Sequence, residues 1–153
     1  MAEFGGSVGW GYGNTHHLCV ESSAGGRAKY RHFVRECHRN GFAIIQDVVY
    51  NHYAPDAGRA EWQYNSTLPE ENIYYWYEGN SSDYPDPAGG YVDNGSTRYA
   101  PRFWDENIRQ QFISGAAFLL DEMHVDGLRV DLTQAIHRDN QPRILEMVAK
   151  RSR

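Results

Sequence analysis

The sequence predicts an α/β fold organised around a parallel sheet, and three observations carry that expectation. The run "FAIIQDVVY" (42–50) is nearly continuous in apolar, largely β-branched residues, as in a strand covered on both faces. A second apolar run, "VDGLRVDL" (125–132), follows much later, and a segment with helical periodicity precedes each run. The resulting order is helix, strand, long loop, helix, strand, helix, which is βα repetition.

The elements follow in chain order. From Arg27 to Asn40 the apolar residues Tyr30, Phe33, Val34 and Cys37 share one helical face, and Gly41 stands where a left-handed cap is needed. The first strand comes next. Residues 51–104 read as a long insertion; from Asn51 to Arg102 they are rich in Tyr, Asn, Gly, Pro and Ser and show no sustained period. Loops of that length within a domain are usually functional. Asp105 is positioned to cap a helix whose stripe runs Ile108, Phe112, Ile113, Ala116, Leu119, Leu120 and Met123. After the second strand, Pro142 stands at a first-turn position and opens a last helix carrying Ile144, Leu145 and Val148.

Composition bounds the partners. With 153 residues the chain suffices for one domain or a piece of one. A formal charge of −5, with acids and bases interspersed, argues against nucleic acid or an anionic membrane as partner. Eleven Tyr and four Trp suit a surface that stacks on sugar rings, although a core also uses aromatics. Cys19 and Cys37 form no CxxC and no dense framework, so they read as ordinary thiols in a reducing, cytoplasmic setting. The segment "MAEFGGSVGWGYG" shows no basic region followed by an apolar one, and no apolar run is long enough to span a bilayer. His16, His17, His32 and His38 form no metal-ligand pattern and read as surface residues.

The chemistry concentrates at two strand ends. Side chains alternate on a strand, so Leu128, Val130 and Leu132 should point toward covering helices, while Arg129 and Asp131 share the other face. Asp47 lies near the carboxyl end of the preceding strand, and Asn51 and His52 follow where the chain leaves it. Parallel α/β folds build their sites at carboxyl ends of strands, so one rim should gather Asp47, Asn51, His52, Arg129 and Asp131. An arginine beside a carboxylate favours the ionised form, which a nucleophile requires. The alternative at this stage is an internal ion pair that only closes the sheet interior.

"DVVYNH", Asp47 to His52, resembles the first motif of the α-amylase superfamily, glycoside hydrolase family 13, and "GLRVD", Gly127 to Asp131, resembles its second. "VGWGYG", Val8 to Gly13, and the helix after it resemble the segment leading into the first motif. The subgroup resembled is that of glycogen branching enzymes and maltooligosyltrehalose trehalohydrolases. The resemblance implies a fragment of a (β/α)8 barrel, from the loop after strand 2 through helix 4, so that residues 1–153 are one partial catalytic domain with its insertion after strand 3. It also implies that Asp131 is the nucleophile, Arg129 orients it, and Asp47 braces the site. His52 would hydrogen-bond the glucosyl ring on which Tyr12 stacks. The implied substrate is an α-1,4-glucan or maltooligosaccharide, with no cofactor. The residue matching Asn51 binds calcium in many α-amylases, but the resembled subgroup does without it, and Asp83, Asp86 and Asp93 have no calcium-loop spacing. Residues 133–135, Thr-Gln-Ala, lack the Lys-His pair that many α-amylases carry there, which favours the branching or trehalohydrolase types.

A retaining glycosidase needs a second carboxyl group, about 5 Å from the nucleophile, as proton donor. The family places it as a glutamate on the fifth strand, and neither that motif nor the family's later His-Asp pair is recognisable here. The chain therefore reads as a slice of a barrel that takes roughly 250 residues. Such a slice should show two adjacent strands with helices on one face and the barrel-interior side chains toward water, and it should be marginally stable. A non-catalytic carbohydrate-binding remnant, keeping Tyr12, His52, Trp62, Trp76 and Trp104, is the other functional reading; an α-amylase is the alternative within the family.

Overall fold

A computed structural model describes residues 2–4, 11–53, 74–76, 100–133 and 136. Its elements are β1 (Ala2–Phe4), β2 (Asn14–Val20), α1 (Gly26–Arg39), β3 (Ile45–Val48), α2 (Glu106–Ala117), a π-helical turn (Phe118–Glu122) and β4 (Gly127–Val130). The two predicted strands pair in parallel, in the register Ile45↔Gly127, Gln46↔Leu128, Asp47↔Arg129 and Val48↔Val130. The last helix, opened by Pro142, lies outside the described residues, as do Trp62, Asp83, Asp86, Asp93 and most of the insertion.

Helix α1 ends as its sequence requires. Gly41 has φ 78°, its N–H donates to the His38 carbonyl, and the Phe42 N–H donates to the Cys37 carbonyl, closing orphan carbonyls that the helix leaves. The Tyr30 hydroxyl donates to Gln46 Oε1 at 2.5 Å, tying α1 to β3, and burial pushes the phenol's pKa up to about 12. Helix α2 starts on its predicted cap, with Asp105 Oδ1 accepting from the Asn107 N–H at 2.8 Å. Ile108, Phe112, Ile113, Ala116, Leu119 and Met123 of its predicted stripe are buried. The helix does not stay α-helical to the end of that stripe. Over Phe118–Glu122 it widens into a π turn, with Met123 N–H donating to the Phe118 carbonyl, and His124 follows at φ 61°.

Three expectations are corrected. The segment before α1 is not only loop, because β1 and β2 form an antiparallel hairpin with irregular register. Its inward positions include Asn14 and His17, both buried, so no apolar alternation marks β2 in the sequence. His17 is therefore not a surface residue. It is 4% exposed, its ring lies 4.8 Å from Phe112 and 5.7 Å from both Tyr50 and Tyr53, and imidazole packs there as an aromatic. A methyl group on Gly115 of α2 would sit 3.2 Å from the His17 carbonyl, so a larger residue there would push the hairpin back by a few tenths of an ångström. Leu132 is the third: Leu128 and Val130 pack against the core, but β4 ends at Val130, and Leu132 turns out at φ 45° and is exposed. Within the insertion, Tyr75 bridges Pro101 in antiparallel fashion and Tyr53 packs against Tyr75, so its base joins the core. Among the described residues no helix is long and apolar enough to cross a membrane.

Asp126 joins the entries to both strands. Its carboxylate accepts from the Ile44 N–H at 2.7 Å and from His38 Nε2 at 2.8 Å, while its own N–H donates to the Ile44 carbonyl. The backbone bond from Ile44, then the His38 contact, hold its carboxyl pKa below the ordinary value. A carboxyl group with a lowered folded-state pKa contributes stability above its unfolded pKa and loses it as pH falls through the folded one. Asp126→Asn is expected to melt below wild type at neutral pH, with the gap closing as the solution is acidified through the carboxylate range. Thermal melts of both proteins across pH check this.

Candidate active site

The parallel register places Asp47 and Arg129 side by side, and alternation puts Asp131 on the same face as Arg129. The guanidinium forks between the two carboxylates: Arg129 Nη1 donates to Asp47 Oδ2 at 2.7 Å and Nη2 to Asp131 Oδ1 at 2.8 Å. Its pKa lies above the usual arginine value, chiefly through the hydrogen bond to Asp47. Attraction from both carboxylates and a hydrogen bond with the Tyr12 side chain add to this, against an opposing desolvation effect. The fork faces outward; Arg129 and Asp47 side chains are 54% and 46% exposed.

The other predicted residues join through one chain of hydrogen bonds. The Asp131 N–H continues the strand ladder to the Val48 carbonyl at 3.0 Å. Asn51 Nδ2 donates to the Asp131 carbonyl at 3.1 Å, and its Oδ1 faces His52 Nδ1 at 2.6 Å. Across the ring, His52 Nε2 donates to the Tyr12 carbonyl at 2.7 Å. Asn51 and His52 are buried, whereas the Tyr12 ring is 42% exposed beside them. All six predicted residues thus meet at the carboxyl ends of β3 and β4. The Asn51 amide thus links His52 to the Asp131 main chain.

A cavity of about 90 Å³ adjoins this cluster, walled by Tyr12, Asp47, Tyr50 and Asn14. Asn14 was not singled out from the sequence; its Nδ2 donates to the Val49 carbonyl at 3.3 Å, fastening the hairpin to the end of β3. A single asparagine in a segment without periodicity carries no signal that could have found it.

No family model matches the chain. Individual proteins do. Over 148 residues it is 30% identical to malto-oligosyltrehalose trehalohydrolase of Arthrobacter ramosus, covering 97% of this chain and 22% of that protein. Over 132 residues it is 33% identical to the 1,4-α-glucan branching enzyme of Pseudoalteromonas atlantica, covering 86% of this chain and 16% of that one. The crystal structure of the α-amylase from H. orenii superposes with a TM-score of 0.73 at 20% identity, over 99% of this chain and 34% of that one. The chain belongs to the α-amylase superfamily. As a superfamily member it spans about a fifth of the length of the curated relatives it matches. The parallel pair β3–β4 is consistent with a fragment of the (β/α)8 fold of its α-amylase neighbour.

Proposed function

We propose that the chain carries the nucleophile half of the site of a retaining, α-glucan-active enzyme, of the branching or trehalohydrolase type. The observation that carries this reading is the single guanidinium of Arg129 shared by Asp47 and Asp131 at adjacent strand ends. Arg129 holds one oxygen of Asp131, fixing the carboxylate just past the end of β4. In this reading an Asp131 oxygen attacks the anomeric carbon as the glycosidic C–O bond breaks, and the leaving oxygen takes a proton from a carboxyl group outside these two motifs. Water or a glucan hydroxyl then attacks the glycosyl-enzyme, giving hydrolysis or transfer. Tyr12 offers its ring to the sugar's C–H face, and His52 holds the Tyr12 segment against the nucleophile's strand end. Asp47 braces Arg129 from β3. The unpaired thiols of Cys19 and Cys37 suit a reducing, cytoplasmic location.

A mechanism-based trap tests the assignment. Incubating the full-length enzyme with a 5-fluoro-α-glucosyl fluoride and mapping the labelled peptide should place the adduct on Asp131; a label on another carboxylate refutes the role. Arg129→Lys keeps the charge but loses the planar fork, so it cannot hold both carboxylates in this geometry. Its kcat is expected to fall on the order of 10²-fold, the scale of losing one preorganised donor. Steady-state kinetics on maltooligosaccharides read this out.

A further inference from the structure

Helix α1 is the basic element of an acidic protein: it holds Arg27, Lys29, Arg31, Arg35 and Arg39 against a single acid, Glu36, while the whole chain carries a net charge of −5. Three of these arginines lie at i, i+4 and i+8 and share one face, spanning about 12 Å along the axis. That face is one wall of a groove of about 500 Å³, within the roughly 300–1,000 Å³ of ordinary ligand pockets. Buried Val34 and Met123 form its floor, and His124 stands on the opposite wall.

The opposite wall is unusual in its backbone. The π turn ends there, and His124 directly after it adopts a left-handed conformation. Both features are uncommon in non-glycine sequence and gather at ligand sites. The arginines differ in what already holds them. Arg35 contacts His32 and Glu36, Arg39 donates to Glu36, and His38 contacts Asp126. Among the described residues no hydrogen bond or ion pair engages Arg31, so its five donors face the groove's solvent. The groove also lies away from the candidate active site. It sits where α1 and the π turn lead into the amino ends of β3 and β4, whereas Asp47 and Asp131 mark the carboxyl ends.

We propose that this groove is a second binding site, for an organic phosphate bearing more than one negative charge. Guanidinium forks match phosphate oxygens in pairs, and a ladder of three arginines favours a diphosphate over a single phosphate. The Val34–Met123 floor gives an attached ring or chain an apolar seat, which an inorganic anion would not use.

Adenosine diphosphate and inorganic pyrophosphate are suitable probes. Calorimetric titration of the 153-residue chain at physiological salt is expected to show ADP binding more tightly than pyrophosphate. Arg31→Gln and Arg35→Gln should each weaken ADP about tenfold or more, the scale of a lost hydrogen bond between charged groups. Lys29→Gln, which removes the same charge from α1 outside the groove, should leave it within about twofold, the scale of a distant screened charge. Arg31 and Arg35 are exposed, so circular dichroism should show all variants folded alike. Absence of ADP binding overturns the proposal. An equal loss with Lys29→Gln reveals only a solvated basic helix face and also overturns it. Pyrophosphate binding at least as tightly as ADP removes the organic part. Sedimentation with phosphatidylserine vesicles in the absence of ADP binding would assign the arginines to a lipid surface instead.

Discussion

Asp131→Asn in the full-length enzyme is expected to lower kcat by ~10⁴-fold or more while maltoheptaose still binds within a few-fold of wild type. The asparagine is nearly isosteric and keeps an oxygen that can accept from Arg129 Nη2, so the fork at Asp47 and the main-chain bonds to Val48 and Asn51 persist. What is lost is the negative charge and the nucleophilic oxygen. A nucleophile acts in the transition state far more than in the ground state, so its removal falls on turnover rather than on substrate affinity. Steady-state rates combined with calorimetric binding of maltoheptaose separate the two. Turnover close to wild type would show that Asp131 is an ion-pair partner of Arg129 and nothing more. Loss of binding together with turnover would mean that the pair holds the site's shape.

The 153-residue chain, purified by itself, is expected neither to cleave nor to transfer α-1,4-glucan. Breaking a glycosidic bond requires protonation of the leaving oxygen, and general acid help contributes roughly 10²–10⁴-fold. Asp47 is poorly placed to supply that proton, because its Oδ2 already accepts from Arg129 Nη1 at 2.7 Å. Arg129 and Asp47 are also half exposed, so the low-dielectric enclosure that strengthens active-site charges is missing from the described residues. A groove that holds the glucan in line with Asp131 would add the further advantage of proximity, and two strands provide little of it. Incubation with amylose and maltoheptaose, assayed for reducing ends and branch points against an Asp131→Ala control, decides the matter. Activity above that control would identify another proton donor within the chain.

Much of this protein was legible from residue order. The β-branched run around Ile45–Val48, the capping aspartate at Asp105, the glycine at Gly41 and the apolar stripe of α2 each act through local backbone and periodicity, and each stands where it was expected. Two short motifs also sufficed to name five of the six residues of the candidate site, because strand alternation and strand ends follow directly from chain order, and Tyr12 came from the segment leading into the first motif. Only the tertiary structure could supply the rest. The choice of Asp47 and Asp131 as joint partners of one guanidinium depends on the register between strands 82 residues apart in sequence. The burial of His17 depends on a hairpin with polar residues turned inward and on the close approach of Gly115. The π turn and the left-handed His124 arise where α2 must deliver Met123 to the core and still meet the start of β4. Local propensity reads out one segment at a time, whereas register, inward-facing polar groups and helix-end geometry are set by which segments pack against each other.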